Sequence, residues 1–161
     1  CLNHRVLIVL LICTLIACSN RLETPEQQIR ALLEQTEDAI ENKQLDKIKS
    51  LIADNYRDSQ AHDKKTIQKL LALYFLRHRS IYLLTRIHSI ALTQPGSLEN
   101  SINNRAEVSF SVAMAGTPFP EDFSHFNAKA VRFEIVLIQQ EDEDWQVQQA
   151  DWRDADMQDF L

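Results

Sequence analysis

Apolar residues recur at helical spacing through the first half of the chain and at every second position through the rest. Ile29, Leu32, Leu33, Ala39 and Ile40 share one face of a helix that begins near residue 25. Thr24 is placed to cap it, Pro25 suits its first position, and Gln27 stands at capping-box spacing from Thr24. Glu34, Glu37, Asp38 and Glu41 make up the opposite face and read as a solvated acidic surface. A shorter helix follows, with Leu45, Ile48, Leu51 and Ile52 as its buried stripe. The stretch Ala53 to Asp58 reads as a break with a short strand around Tyr56. Asp63 caps a third helix whose stripe is Ile67, Leu70, Leu71, Tyr74 and Phe75. Arg77, His78 and Arg79 close it, positive charge complementing the carboxyl end of the helix dipole.

From Ser80 the period falls to two. Ile81, Leu83 and Ile87 hold one phase and Ile90 and Leu92 the other, so a bulge between Arg86 and Ser89 is expected within one long strand. Gln94 to Ser97 and Asn100 to Asn104 are turn-forming. Val108, Phe110, Val112 and Met114 alternate with Glu107, Ser109, Ser111 and Ala113, the cleanest half-buried strand of the chain. A loop with Gly116, Pro118 and Pro120 leads to Val131, Phe133, Ile135 and Leu137 in the same alternation. Glu141 to Asp144 forms an acidic turn into a last strand from Trp145 to about Arg153, where Val147 follows the phase of Trp145 and Trp152 that of Ala150. Residues 154–161 show no clear element. Three helices followed by four long antiparallel strands predict an α+β domain with the helices on one side of the sheet.

Residues 1–17 do not belong to this pattern. Arg5 is their only formal charge, and the twelve-residue run Val6–Ala17 has none. A membrane-crossing helix needs about 20 apolar residues, so the run fits the core of an export signal. Leu15-Ile16-Ala17-Cys18 resembles the lipobox of bacterial lipoproteins, in which a small residue precedes a cysteine that is acylated and becomes the new N-terminus. That resemblance implies a signal peptide over 1–17, lipidation of Cys18 and a tether over 18–24, since a doubly acylated anchor holds durably. The bland alternative is an ordinary secretory signal with a chance cysteine. Serine at position 19 suggests, by resemblance to enterobacterial lipoproteins, the outer membrane facing the periplasm.

Composition then removes several function classes. With 161 residues there is room for one domain, and only two glycines, Gly96 and Gly116, so no glycine-rich phosphate loop is available. Cys1 and Cys13 lie in the segment to be removed, which leaves Cys18 as the sole mature cysteine and rules out an internal disulfide or a cysteine metal site. The net charge is −6, and loss of Arg5 makes the mature chain one unit more negative. Nucleic acid is not an expected partner of so acidic a chain. His62, His78, His88 and His125 show no metal-ligand spacing, although Asp58, His62 and Asp63 are close in sequence. No metal and no cofactor is implied.

The order helix, helix, short strand at Tyr56-Arg57-Asp58, helix, then four long strands with Trp145-Gln146-Val147 resembles the nuclear transport factor 2-like superfamily. The likeness covers residues 25–153, with a tail over 154–161. Tyr74-Phe75-Leu76-Arg77-His78-Arg79 adds a likeness to uncharacterised bacterial lipoproteins of that superfamily. It implies three N-terminal helices packed in a curved, cone-shaped, four- to five-stranded antiparallel sheet that opens to a pocket. Isomerases and cyclases of the family use a carboxylate there as general base, and Asp58 stands at the matching place. They also use a tyrosine from the first helix, which residues 25–42 lack; Tyr82 or Tyr74 would have to substitute. The bland reading of Asp58 is a turn carboxylate holding nearby backbone N–H groups. Tyr56, Tyr82, Gln149, Asp151 and Trp152 are the other pocket candidates, each with a structural alternative as a wall or strand-end residue.

Three functions stay open. The first is a lipid-anchored, non-catalytic domain binding a small apolar ligand or an envelope protein, the latter through a patch around Phe119, Phe123 and Phe126. The second is a small isomerase or cyclase with Asp58 as base. The third is a structural envelope protein whose cone is filled by its own side chains. A homodimer is compatible with any of them.

Overall fold

Thr24 starts the first helix in the computed structural model, which describes residues 24–93, 104–120, 128–139, 144–156 and 160. Its hydroxyl accepts from the Gln27 N–H at 3.3 Å, and the Gln27 side chain accepts from the Thr24 N–H at 2.9 Å. Helix α1, Pro25–Glu41, therefore opens with both capping-box bonds in place. Helix α2 is one short piece, Leu45–Ser50. Strand β1, Ile52–Asp58, leads through a tight turn to α3, Lys64–Arg77, where the Asp63 carboxylate accepts from the Thr66 N–H at 2.8 Å. The long strands are β2 (Tyr82–Thr93), β3 (Asn104–Ala115), β4 (Lys129–Gln139) and β5 (Gln146–Asp154).

The five strands form one sheet in the order β1-β5-β4-β3-β2. Pairing is antiparallel except at one edge, where β1 runs parallel to β5 with Ile52 beside Val147 and Asp58 beside Ala150. This is a correction to the sequence expectation. Ile52 was assigned to a helical stripe and residues 53–58 to a break with a short strand around Tyr56; that strand is present but takes in all seven residues. The pattern there is too short and too polar to declare a strand by itself; the open edge of β5 supplies its hydrogen-bond partners.

The bulge expected between Arg86 and Ser89 is present, with the β2–β3 register shifting between Ile87 and Ser89. A second shift at Val136/Leu137 against β5 puts Val147 and Ala150 on the same face despite their odd spacing. The phase change read in the last strand has the same cause.

The core lies between α1 and the sheet. Ile29 and Leu137 are fully buried, and Leu32, Leu33, Val108, Ile135 and Trp145 pack around them. Two further expectations change. Of the acidic face of α1, Glu34 and Asp38 are exposed, but Glu37 and Glu41 are half-buried against the sheet. Of the α3 stripe only Phe75 is buried, and Leu70 is 48% exposed.

Burial sets the cost of truncation. Leu137→Ala should destabilise the domain by about 2–5 kcal/mol, whereas Leu76→Ala, at an 85% exposed position, should stay within about 0.5 kcal/mol. Urea unfolding of both variants checks this, and similar losses for the two would contradict the assignment of the core.

Candidate functional site

The α1 residues that face the sheet are spaced four apart. Ile29, Leu33, Glu37 and Glu41 follow one another up the same ridge. At its lower end the ridge is apolar and closes against the sheet. At its upper end Glu41 accepts a hydrogen bond from the Leu83 N–H at 2.7 Å, which holds the start of β2 to the helix. Between these points, beside the contact of Glu37 with Thr85, the helix and the sheet part around a cavity of about 690 Å³. That size lies within the range of small-molecule sites.

Strand register defines the sheet wall of the cavity row by row. Thr85, Val112, Val131 and Asp154 lie side by side across β2, β3, β4 and β5. Two residues along, Phe110, Phe133 and Trp152 form an aromatic row. Phe110 and Phe133 stack with centroids 5.3 Å apart, and Phe133 and Trp152 are tilted at 6.4 Å. Leu32, Leu33 and Ile40 of α1 face them, and Ile67, Leu70, Leu71 and Tyr74 of α3 flank the opening. The exposure of Leu70 follows from this position, because its side chain borders open space rather than packed core.

Few polar groups reach this wall. Glu37 is bonded by the Thr85 hydroxyl, and burial raises its pKa above the usual carboxylate value. The Thr85 bond partly offsets that rise, while the charges of Glu41, Asp38 and Glu34 add to it. Burial also pushes the Tyr56 phenol far above its ordinary value, reinforced by the Asp58 carboxylate nearby, so Tyr56 stays protonated as a hydrogen-bond donor. Tyr74 is raised by burial too, and its ring stacks on His78 at 4.1 Å. Lys129 and Asp154, both exposed, stand at the rim.

The structure brings together only part of the predicted set. Tyr56 and Trp152 are on the cavity wall. Asp58 is not. Its side chain is fully buried in the turn before α3, where one oxygen accepts from the N–H groups of Gln60 at 2.9 Å and His62 at 2.8 Å. The other oxygen meets His62 Nδ1 at 2.9 Å. Tyr82 and Gln149 alternate with wall residues and so belong to the opposite face of the sheet. Asp151 is exposed on that face, in a shallow depression of about 100 Å³ shared with Arg132, Glu134, Trp152 and Arg153. Among the described residues, no three His, Cys, Asp or Glu side chains gather as a metal site, and no helix is long and apolar enough to cross a membrane. Cys18, Phe123 and Phe126 lie outside the described residues, as do the turns near 94–103 and 141–143.

Sequence reasoning missed Glu37, Thr85 and the aromatic row. Glu37 had a signal in its four-residue spacing from Leu33 and Ile29, but its charge placed it on the solvated face. The aromatic row had none, because it is assembled by cross-strand register.

Comparison with solved structures identifies the fold. A protein from Cytophaga hutchinsonii described as nuclear transport factor 2-like superposes with a TM-score of 0.56 at 14% identity, over 83% of this chain and 100% of its own. Bd1075 of Bdellovibrio bacteriovorus gives 0.58 at 12% identity over 81% of this chain, which spans 40% of the length of Bd1075. A protein from Novosphingobium aromaticivorans provisionally named a scytalone dehydratase gives 0.58 at 9% identity, over 81% and 84% of the two chains. The chain therefore has the nuclear transport factor 2-like fold, with three N-terminal helices and a mostly antiparallel five-stranded sheet. No family model matches the sequence, and no curated protein matches it either.

The raised Glu37 pKa fixes the sign of a pH effect. The folded state holds this proton to higher pH than the unfolded chain, so stability falls as pH rises from the ordinary carboxylate value through the raised one. Glu37→Gln should thus gain stability over the parent at pH 7 and lose that gain near pH 4. Thermal melts at both values test it; a difference independent of pH would refute the burial of this carboxylate.

Proposed function

We propose that this chain is a lipid-anchored protein of the bacterial envelope whose domain binds a small apolar ligand without chemical conversion. The cavity of about 690 Å³ carries the reading, with a wall that is aliphatic and aromatic apart from a handful of polar groups. Each methylene moved from water into such a space gains about 0.8 kcal/mol before the costs of association. A space of this size left open by the described residues weighs against a purely structural domain with a self-filled interior.

The isomerase reading places Asp58 on the wall as its carboxylate base. Asp58 instead has both oxygens engaged in its own turn, with none of its side chain exposed. A base must reach the proton it removes, so binding is preferred over catalysis with Asp58 as base. The anchor rests on the apolar run Val6–Ala17 and the Ala17-Cys18 junction, and the outer membrane, periplasmic side, on the serine that follows.

Two outcomes are expected. The neutral fluorophore N-phenyl-1-naphthylamine should brighten on binding the protein, and Val112→Trp, which places an indole in the middle of the cavity, should abolish that enhancement while leaving the far-ultraviolet circular dichroism of the fold intact. Equal fluorescence from parent and variant would refute the cavity as the binding site. Separately, Cys18→Ala expressed in a bacterium should move the protein from the membrane to the soluble fraction, and unchanged membrane association would remove the anchor.

A further inference from the structure

Resting on that binding reading, we propose that the ligand is a hydrophobic amine, its ammonium group at Glu37 and its apolar body over Phe110, Phe133 and Trp152. Glu37 and the aromatic row are the two features of the wall that a plain greasy pocket does not need. They also stand at the right separation. Thr85, which holds Glu37, lies in the row next to the aromatic one. Adjacent same-face rows of a strand are about 6.8 Å apart. An ammonium a few bonds from a chain or ring spans that distance.

Charge selects the amine over other head groups. Among the described residues Glu37 has no ion-pair partner within 4 Å; its bond is to a neutral hydroxyl. Glu34, Asp38 and Glu41 on the same helix all repel its charge. Asp154 adds a further acid at the far end of the Thr85 row. Among the described residues Lys129 is the one cation on the wall; it is exposed and lies a further row away, beside Met114 and on the side opposite the aromatics. A cation entering here would relieve both the burial and the repulsion of the carboxylate. Aromatic faces add attraction for a cation or for the polarised carbons next to one. An anionic head group would meet the same field with the opposite sign.

Decylamine, decanol and decanoate carry the same chain with cationic, neutral and anionic heads. Competition of each against N-phenyl-1-naphthylamine on the full chain at pH 7 separates the readings. The amine should displace the fluorophore at a concentration at least about tenfold below the alcohol, with decanoate weakest. Glu37→Gln should shrink the amine's advantage over the alcohol to within about threefold. An alcohol or carboxylate as strong as the amine on the parent protein overturns the proposal without any variant. So does a Glu37→Gln protein that keeps the full amine advantage, or that weakens amine and alcohol alike. In those cases the cavity still binds apolar chains and the broader reading survives. If neither the fluorophore nor any of the three chains binds, both fail together.

Discussion

Helix α1 is fastened to the sheet at both ends, and the cavity opens along its side between those fastenings. Near its start, the Gln28 side-chain carbonyl accepts from the Trp145 indole at 3.0 Å and from the Gln139 amide at 3.3 Å, bonds that span more than a hundred residues of sequence. Fully buried Ile29 sits beside this anchor. Near the helix end, Glu41 holds the Leu83 N–H of edge strand β2. A backbone N–H at a sheet edge otherwise needs water or another strand. The pinned helix fixes the upper side of the space and the strand register fixes the lower.

Turns in this chain are made almost without glycine, and polar side chains take over the work. Lys43 and Ala61 both adopt the left-handed backbone region, at φ 55° and 62°, where a residue with a Cβ is disfavoured. Each has a compensating contact close by. The Lys43 ammonium donates to the carbonyls of His78 and Arg79, satisfying the chain as it leaves α3. Around Ala61, the Asp58 carboxylate gathers the N–H groups of Gln60 and His62 and the His62 ring. An acid placed in the right part of the chain for catalysis is thereby committed to the geometry of a loop.

The chemical character of the cavity follows from what the pinned elements leave exposed to it. Aromatic and aliphatic side chains cover most of the wall, so the half-buried and buried polar groups there, Glu37 and Tyr56, sit in largely apolar surroundings. In such surroundings a carboxylate is harder to ionise and a phenol keeps its proton, as Glu37 and Tyr56 both do. In the proposed binding role both groups would direct a ligand's orientation, while the apolar area would supply the affinity. Glu37 and the phenols of Tyr56 and Tyr74 are thus polar points on a mostly apolar wall.

The sequence by itself determined where α1, α3 and the four long strands lie, the main apolar face of α1 and of the strands, and the bulge in β2. These are local matters. Thr24 and Gln27 find each other within one helical turn, and Val108 to Met114 alternate whatever lies opposite. Tertiary structure decided the rest. The strand at Ile52–Asp58 forms because β5 presents an open edge about ninety residues later, and Glu37 is buried because Leu83 and Thr85 stand across from its helix. Likewise Phe110, Phe133 and Trp152 become one surface only through the register of three strands. Periodicity states which side of an element avoids water. Whether that side meets a neighbour or an open space depends on the distance between elements, and no single segment carries that distance.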